Sequence, residues 1–174
     1  MKRSQWWFAV TLPLLFGFDW GTKEAARELP LGGRFDVVPG WVGVLHAENP
    51  YVAFSFPLPY AVIVTFGVAA LIALGFMFTR LGASRLEGVA LASIVAGAAG
   101  NLVDRLVDGT VTDFVHLYTA HPAVAPWLVD TFGTSSWPIF NVADVALLVG
   151  AVGWVARTAA EPESDPPSAA LDAG

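Results

Sequence analysis

Residues 137–157 read WPIFNVADVALLVGAVGWVAR. The run is apolar enough to cross a bilayer, yet it carries a carboxylate, Asp144. An aspartate at the centre of a membrane helix costs about 2.5–3.5 kcal/mol, and less near the interface. It is therefore retained for a reason, either as a structural hydrogen-bond acceptor or as a reacting group. The rest of the chain supports a membrane setting. Its residues are 55% hydrophobic and 14% charged, against roughly 25% charged in soluble domains, and the mean hydropathy is +0.60. A net charge of −6 leaves no basic patch to meet phosphates and excludes a nucleic-acid binder. With no cysteine, disulfides, thiolate metal sites and cysteine nucleophiles are all excluded.

Four apolar segments predict four membrane helices, at about 5–26, 60–78, 86–103 and 137–155. The first carries Trp6, Trp7 and Trp20 near its ends, as interfacial aromatic belts do. Its start, MKRSQWWFAVTLPLLFGF, has the charge pattern of a signal peptide, but DWGTKEAAREL after it offers a poor small-residue cleavage site, so it is expected to remain as a helix. The second segment has no charge and follows Pro57 and Pro59. The third, with VALASIVAGAAGN, is rich in the small residues that let helix backbones approach closely in lipid. An even number of spans puts Lys2, Arg3, Arg80, Arg85 and Arg157 on one side, predicting cytoplasmic termini. Between the first two helices, Arg34–Val38 and Trp41–Leu45, broken by Pro39-Gly40, predict a small sheet on the outer surface. Residues 1–158 read as one membrane domain, and the acidic, Pro/Ala-rich stretch 159–174 as a disordered cytoplasmic tail.

Polar residues collect near the outer ends of the third and fourth helices. Asn101, Asp104, Arg105 and Asp108 are spaced to share one face of a continuing helix, which Gly109 ends. In TVTDF the alternation puts Asp113 on an extended segment just beyond. Asn141 and Asp144, three apart, share a face one to two turns inside the fourth helix, so Asp113 and Asp144 lie at the same depth. Two facing carboxylates cannot both ionise cheaply and so share a proton. One can then activate a water while the other protonates a leaving group or polarises a carbonyl. In the structural alternative, Asp144 accepts hydrogen bonds from a neighbouring helix or pairs with Arg105.

GAAGNLVDRLVDGTVTDF followed by FNVADVAL resembles the lipoprotein signal peptidase (signal peptidase II) family of bacterial membrane aspartyl peptidases. Gly97, Asn101, Asp104, Arg105, Gly109, Val111, Asp113 and Phe114 match its first block, and Phe140, Asn141, Ala143 and Asp144 its second. DWGTK, with Asp19, Thr22 and Lys23, and NPYVAFS resemble two further blocks in the family order. The resemblance implies a mainly α membrane protein of four transmembrane helices, with a small extracytoplasmic β-cradle and a surface lid segment containing a short helix. It implies an aspartic endopeptidase of the inner membrane that cuts diacylglyceryl-prolipoproteins before the lipidated cysteine. Asp113 and Asp144 match the catalytic pair. Asn101, Arg105 and Asn141 match residues positioning substrate or the pair, and Asn49 the substrate-facing loop. Two departures stand out: Tyr51, after Pro50, replaces a glycine, and the stretch from Asp113 to Asp144 is long.

Asp19 and Lys23 are spaced for an ion pair and read equally as structural or substrate-contacting. Asp104 reads as structural, tying the helix end together with Arg105, and Asp108 as a solvated charge. His46, His116 and His121 lack zinc-site spacing, so no metal or cofactor is expected. Neither a Gly-x-Ser-x-Gly nucleophile nor a Ser–Lys pair is evident. The expected partners are lipidated precursors and membrane lipid, with the chain a monomer. A non-catalytic precursor binder, or a small proton or solute transporter with Asp104 and Asp144 as relay carboxylates, are the alternatives; a transporter needs polar groups through the full membrane depth, and the second helix has none.

Overall fold

The computed structural model describes residues 2–51 and 58–160. Five helices, α1 (Arg3–Arg27), α2 (Tyr60–Arg80), α3 (Arg85–Asp108), α4 (Ala125–Phe132) and α5 (Val142–Ala159), accompany three strands, β1 (Arg34–Val38), β2 (Val42–Asn49) and β3 (Val111–Leu117). Three helices, α2, α3 and α5, are long and apolar enough to cross a membrane. α1 is longer than any of these, but Pro13, Asp19 and the tryptophans near its ends dilute its apolar run. The proposed tail lies almost wholly outside the described residues, as do the residues after Tyr51 in the NPYVAFS block.

α3 is the central helix and packs against α1, α2 and α5. Its small residues explain this. A Cβ on Gly97 would collide with the Ala143 carbonyl of α5, and one on Gly100 would lie 2.5 Å from Asp19 Oδ2 of α1. Gly150 of α5 approaches α3 similarly, its missing Cβ 2.7 Å from the Ala90 carbonyl. α2 turns outward: Phe66, Ile72 and Phe76 are exposed, an apolar surface on a helix long and apolar enough to cross a membrane.

The strands form one antiparallel sheet in the order β1-β2-β3. β3 was expected only as an extended segment; it is a sheet strand because Gly109, at φ 79°, ends α3 in a left-handed cap and turns the chain back towards β2. Asp113 lies opposite Ala47, and Val111 opposite Asn49. A bulge interrupts the ladder between Val44 and Ala47.

The fourth predicted helix begins later than expected. Residues 137–141 are not helical, since Pro138 brings no N–H and Phe140 pairs with β3. The Phe140 carbonyl accepts from the N–H groups of Phe114 (3.0 Å) and Val115 (2.7 Å), and its own N–H donates to Val115. Asn141 is therefore the N-cap of α5, and Asp144 sits in the first turn rather than one to two turns inside. The third predicted helix continues to Asp108 and ends at Gly109, as its polar face implied.

Candidate active site

The site is assembled from four places: the end of β2, the middle of β3, the last third of α3 and the N-terminus of α5. Asn141 joins them. As N-cap, its side-chain oxygen accepts from the Asp144 N–H (3.0 Å), and the Asp144 carboxylate accepts in return from the Asn141 N–H (3.2 Å). This reciprocal capping box satisfies two otherwise orphaned helix N–H groups. It also fixes the Asp144 carboxylate against the strand pairing of Phe140. The Asn141 amide then donates to Asp113 Oδ1 at 2.8 Å. One buried asparagine thus holds both carboxylates.

Each carboxylate has a second amide donor. Asn49 Nδ2 donates to Asp113 Oδ2 (2.9 Å), and Asn101 Nδ2 to Asp144 Oδ1 (2.9 Å). Asn49 reaches Asp113 because both point to the same side of the sheet, as diagonal neighbours across β2 and β3. Its own oxygen accepts from the Tyr51 N–H at 2.9 Å, a side-chain turn that shapes this loop without a glycine. Asp113 is 4% exposed. Burial pushes its carboxyl up to about 6, opposed by the hydrogen bonds from Asn49 and Asn141 and reinforced by the Asp144 charge. Asp144 is half-buried.

Asn101 is braced from behind. Its oxygen accepts from Lys23 Nζ (3.0 Å) and the Asn141 amide (3.1 Å). Lys23 is 1% exposed and pairs with both Asp19 and Asp104 at 2.8 Å. Asp19 in turn accepts from the Ala143 N–H of α5 at 2.8 Å. An ammonium this buried needs paired, hydrogen-bonded partners, and it has them; the Asp19–Lys23 pair lies inside the packing of α1 on α3. The expected Asp104–Arg105 pairing does not form. Asp104 faces α1 and binds Lys23 and Arg27, whereas Arg105, one residue on, points along a different direction of α3. Arg105 donates to the Asn101 carbonyl (3.0 Å) and the Tyr51 carbonyl (2.7 Å), and its Nε is buried without a partner among the described residues. Asp108, expected as a solvated surface charge, is exposed and also pairs with Arg27 of α1 at 3.0 Å.

One cluster escaped the sequence reading. Glu48 accepts from Thr110, from Thr112 (3.1 Å) and from His46 Nε2 (3.0 Å). These hydrogen bonds outweigh its burial and hold its carboxyl below the usual range. Glu48 lies opposite Thr112, on the reverse face of the sheet from Asn49 and Asp113, and pins the register that makes those two meet. The alternation in TVTDF carried the signal, since it sends Thr110 and Thr112 one way and Asp113 the other. Among the described residues no group of three or more histidines and acids is placed to hold a metal. His116 lies in the sheet, its Nε2 3.4 Å from the Ser136 hydroxyl.

Four amide donors around two close carboxylates, one of them with its carboxyl pushed up by burial, can hold a water between a base and an acid. Residues 11–159 match the family described as Signal peptidase (SPase) II. The chain is 34% identical over 157 residues to a lipoprotein signal peptidase of Geobacter metallireducens, covering 86% of this chain and 88% of that protein. It is 34% identical over 154 residues to one of Paraburkholderia phytofirmans, covering 84% and 80%. A bacterial membrane enzyme solved by the in meso method at 1.9 Å shares the fold, with a TM-score of 0.72 at 24% identity over 89% of this chain and 94% of that one.

Proposed function

This chain belongs to the signal peptidase II family, and on that premise we propose that it is a membrane aspartyl endopeptidase. It removes the signal peptide from diacylglyceryl-modified prolipoproteins, with Asp113 and Asp144 as the catalytic pair. The observation that carries the dyad is Asn141, whose backbone N–H holds Asp144 and whose amide holds Asp113. With one proton between them, the ionised carboxylate draws a proton from water as it attacks the scissile carbonyl. The protonated carboxyl polarises that carbonyl and then supplies the proton that the leaving amine needs. Asn49, Asn101 and Asn141 orient the pair. Arg105, with a buried donor to spare beside the site, positions the substrate backbone. Asp19, Lys23 and Asp104 fix Asn101.

α1 completes a four-span bundle within one domain, residues 1–158. Asp19 and Lys23 are buried in the bundle, and Leu14 and Phe18 are exposed on its outer side, a surface that suits lipid. Both termini lie in the cytoplasm and the dyad at the outer face of the inner membrane. α4 exposes Trp127, Val129 and Phe132, an apolar surface suited to the interface, and forms the lid segment. The chain acts as a monomer. Acyl chains stay in the bilayer, and their binding energy, remote from the scissile bond, positions the peptide at the dyad.

The test is cleavage of a lipidated precursor by the purified protein in bilayer discs. Cutting immediately before the lipidated cysteine is expected, and a precursor lacking the diacylglyceryl group should be cut far more slowly. A precursor that binds but stays intact would replace this reading with that of a non-catalytic binder. The transporter reading gains nothing, because the linked polar groups gather at one end of the bundle.

A further inference from the structure

At the end of the bundle opposite the carboxylates, about 20 Å along α5 at a rise of about 1.5 Å per residue, lies a cleft of about 500 Å³. The last turns of α2 and α5 form its sides, and the start of α3 its floor. Phe76, Met77 and Trp154 supply an apolar wall, and Arg80, Arg157 and Glu87 a charged rim. We propose that this cleft binds an anionic glycerophospholipid, with its phosphate on Arg80 and Arg157 and an acyl chain along Phe76, Met77 and Trp154.

Charge and shape both favour this occupant. Arg80 ends α2, is exposed, and has no ion-pair partner among the described residues. The acid in the rim is already committed: Glu87 pairs with Arg157 at 3.1 Å and accepts from the Gly82 N–H at 2.7 Å. Lys2 adds a further cation beside the cleft, donating to the Leu81 carbonyl at 2.6 Å, whereas Arg85, 5.5 Å over the Trp7 ring, is not among its lining residues. Among the described residues the charge around the cleft is positive, which matches a phosphate that brings no cation of its own, whereas a choline headgroup would add one. The adjoining outer surfaces are apolar and open to the side, with Phe76 and Val155 exposed. A soluble phosphate would leave the Phe76–Met77–Trp154 wall uncovered. Basic pockets between membrane helices are the usual recognition mode for anionic headgroups. The proposal rests on the helices spanning the membrane and is independent of catalysis.

Native mass spectrometry of the full chain in detergent, with phosphatidylglycerol and phosphatidylcholine competing at equal concentration, tests it. The parent should retain phosphatidylglycerol about fivefold over phosphatidylcholine, the share expected of one basic residue near a headgroup. Arg80→Gln should bring the two near parity, and Arg85→Gln, outside the cleft, should keep the preference. Met77→Trp, which fills the wall, should lower retention of both lipids. No preference in the parent, or an unchanged preference in Arg80→Gln, would overturn the proposal. So would an equal loss in Arg85→Gln, which marks a diffuse field. Displacement of the lipid by equimolar glycerol 3-phosphate would identify a soluble phosphate as the ligand and overturn it too. None of these readouts depends on peptidase activity, so a failure here leaves the proposed function standing, and the reverse.

Discussion

Burying an ionised carboxylate on β3 destabilises the fold, and the acidity of Asp113 registers this. With its carboxyl raised from 3.8 to about 6, the folded state binds more protons than the unfolded one between those values. Stability therefore falls as pH rises through that window, by up to on the order of 3 kcal/mol. Asp113→Asn cannot ionise. It should unfold at a higher temperature than the parent at pH 7.5, with the gap closing near pH 4. The gain stays below that bound, because the new amide presents a donor to the Asn49 or Asn141 amide. Parallel pH profiles for the two proteins would show that Asp113 titrates normally. The contact of Asn141 with Asp144 was legible from their three-residue spacing, and the face of Asp113 from strand alternation. The meeting of Asp113 with Asn141 across 28 positions was expected from their common depth and the family resemblance. The role of Lys23 was not. It meets Asn101 across 78 positions and Asp104 across the packing of α1 on α3, a contact that no local pattern encodes.

At the scale of elements, the depth of the dyad depends on how closely α5 lies on α3. Gly97 sets that distance, since a side chain there meets the Ala143 carbonyl and the Leu147 N–H, backbone that cannot rotate away. Gly97→Ala should cost about 1–3 kcal/mol through overpacking. It should also slow cleavage, because Ala143 and Asp144 shift with the start of α5, whereas Ala substitution at the exposed Gly75, where a Cβ meets nothing within 4 Å, should leave cleavage intact. Equal activity in the two variants would mean that α5 absorbs the added methyl elsewhere. The helices themselves were legible from apolar length, and α2 matches to within a turn. The start of α5 was not, because the run from Trp137 is apolar throughout. What stops the helix is the pairing of Phe140 with β3, a non-local bond. The Asp104–Arg105 pair failed for a related reason: adjacent residues on a helix point in different directions, and α1 claimed Asp104.

For the molecule as a whole, the two ends of the bundle differ in chemistry. One end carries the sheet, the amide-bound carboxylates and the buried Lys23 cluster. The other carries Lys2, Arg3, Arg80, Arg85 and Arg157, with Glu87 among them. Between them α2 presents an uninterrupted apolar surface. That separation suits a peptidase whose substrate is anchored in the bilayer and cut at its outer surface, and it follows from the positions of charges that the sequence displays openly. The account turns on the two carboxylates acting together. The most direct measurement is single-turnover cleavage of a lipidated precursor in bilayer discs by the parent, Asp113→Asn and Asp144→Asn, with precursor binding recorded alongside. The account predicts that both variants bind the precursor and that each cleaves it at least about 10³-fold more slowly than the parent, within the range for loss of a general acid or base. Cleavage within about tenfold of the parent rate by either variant would contradict it.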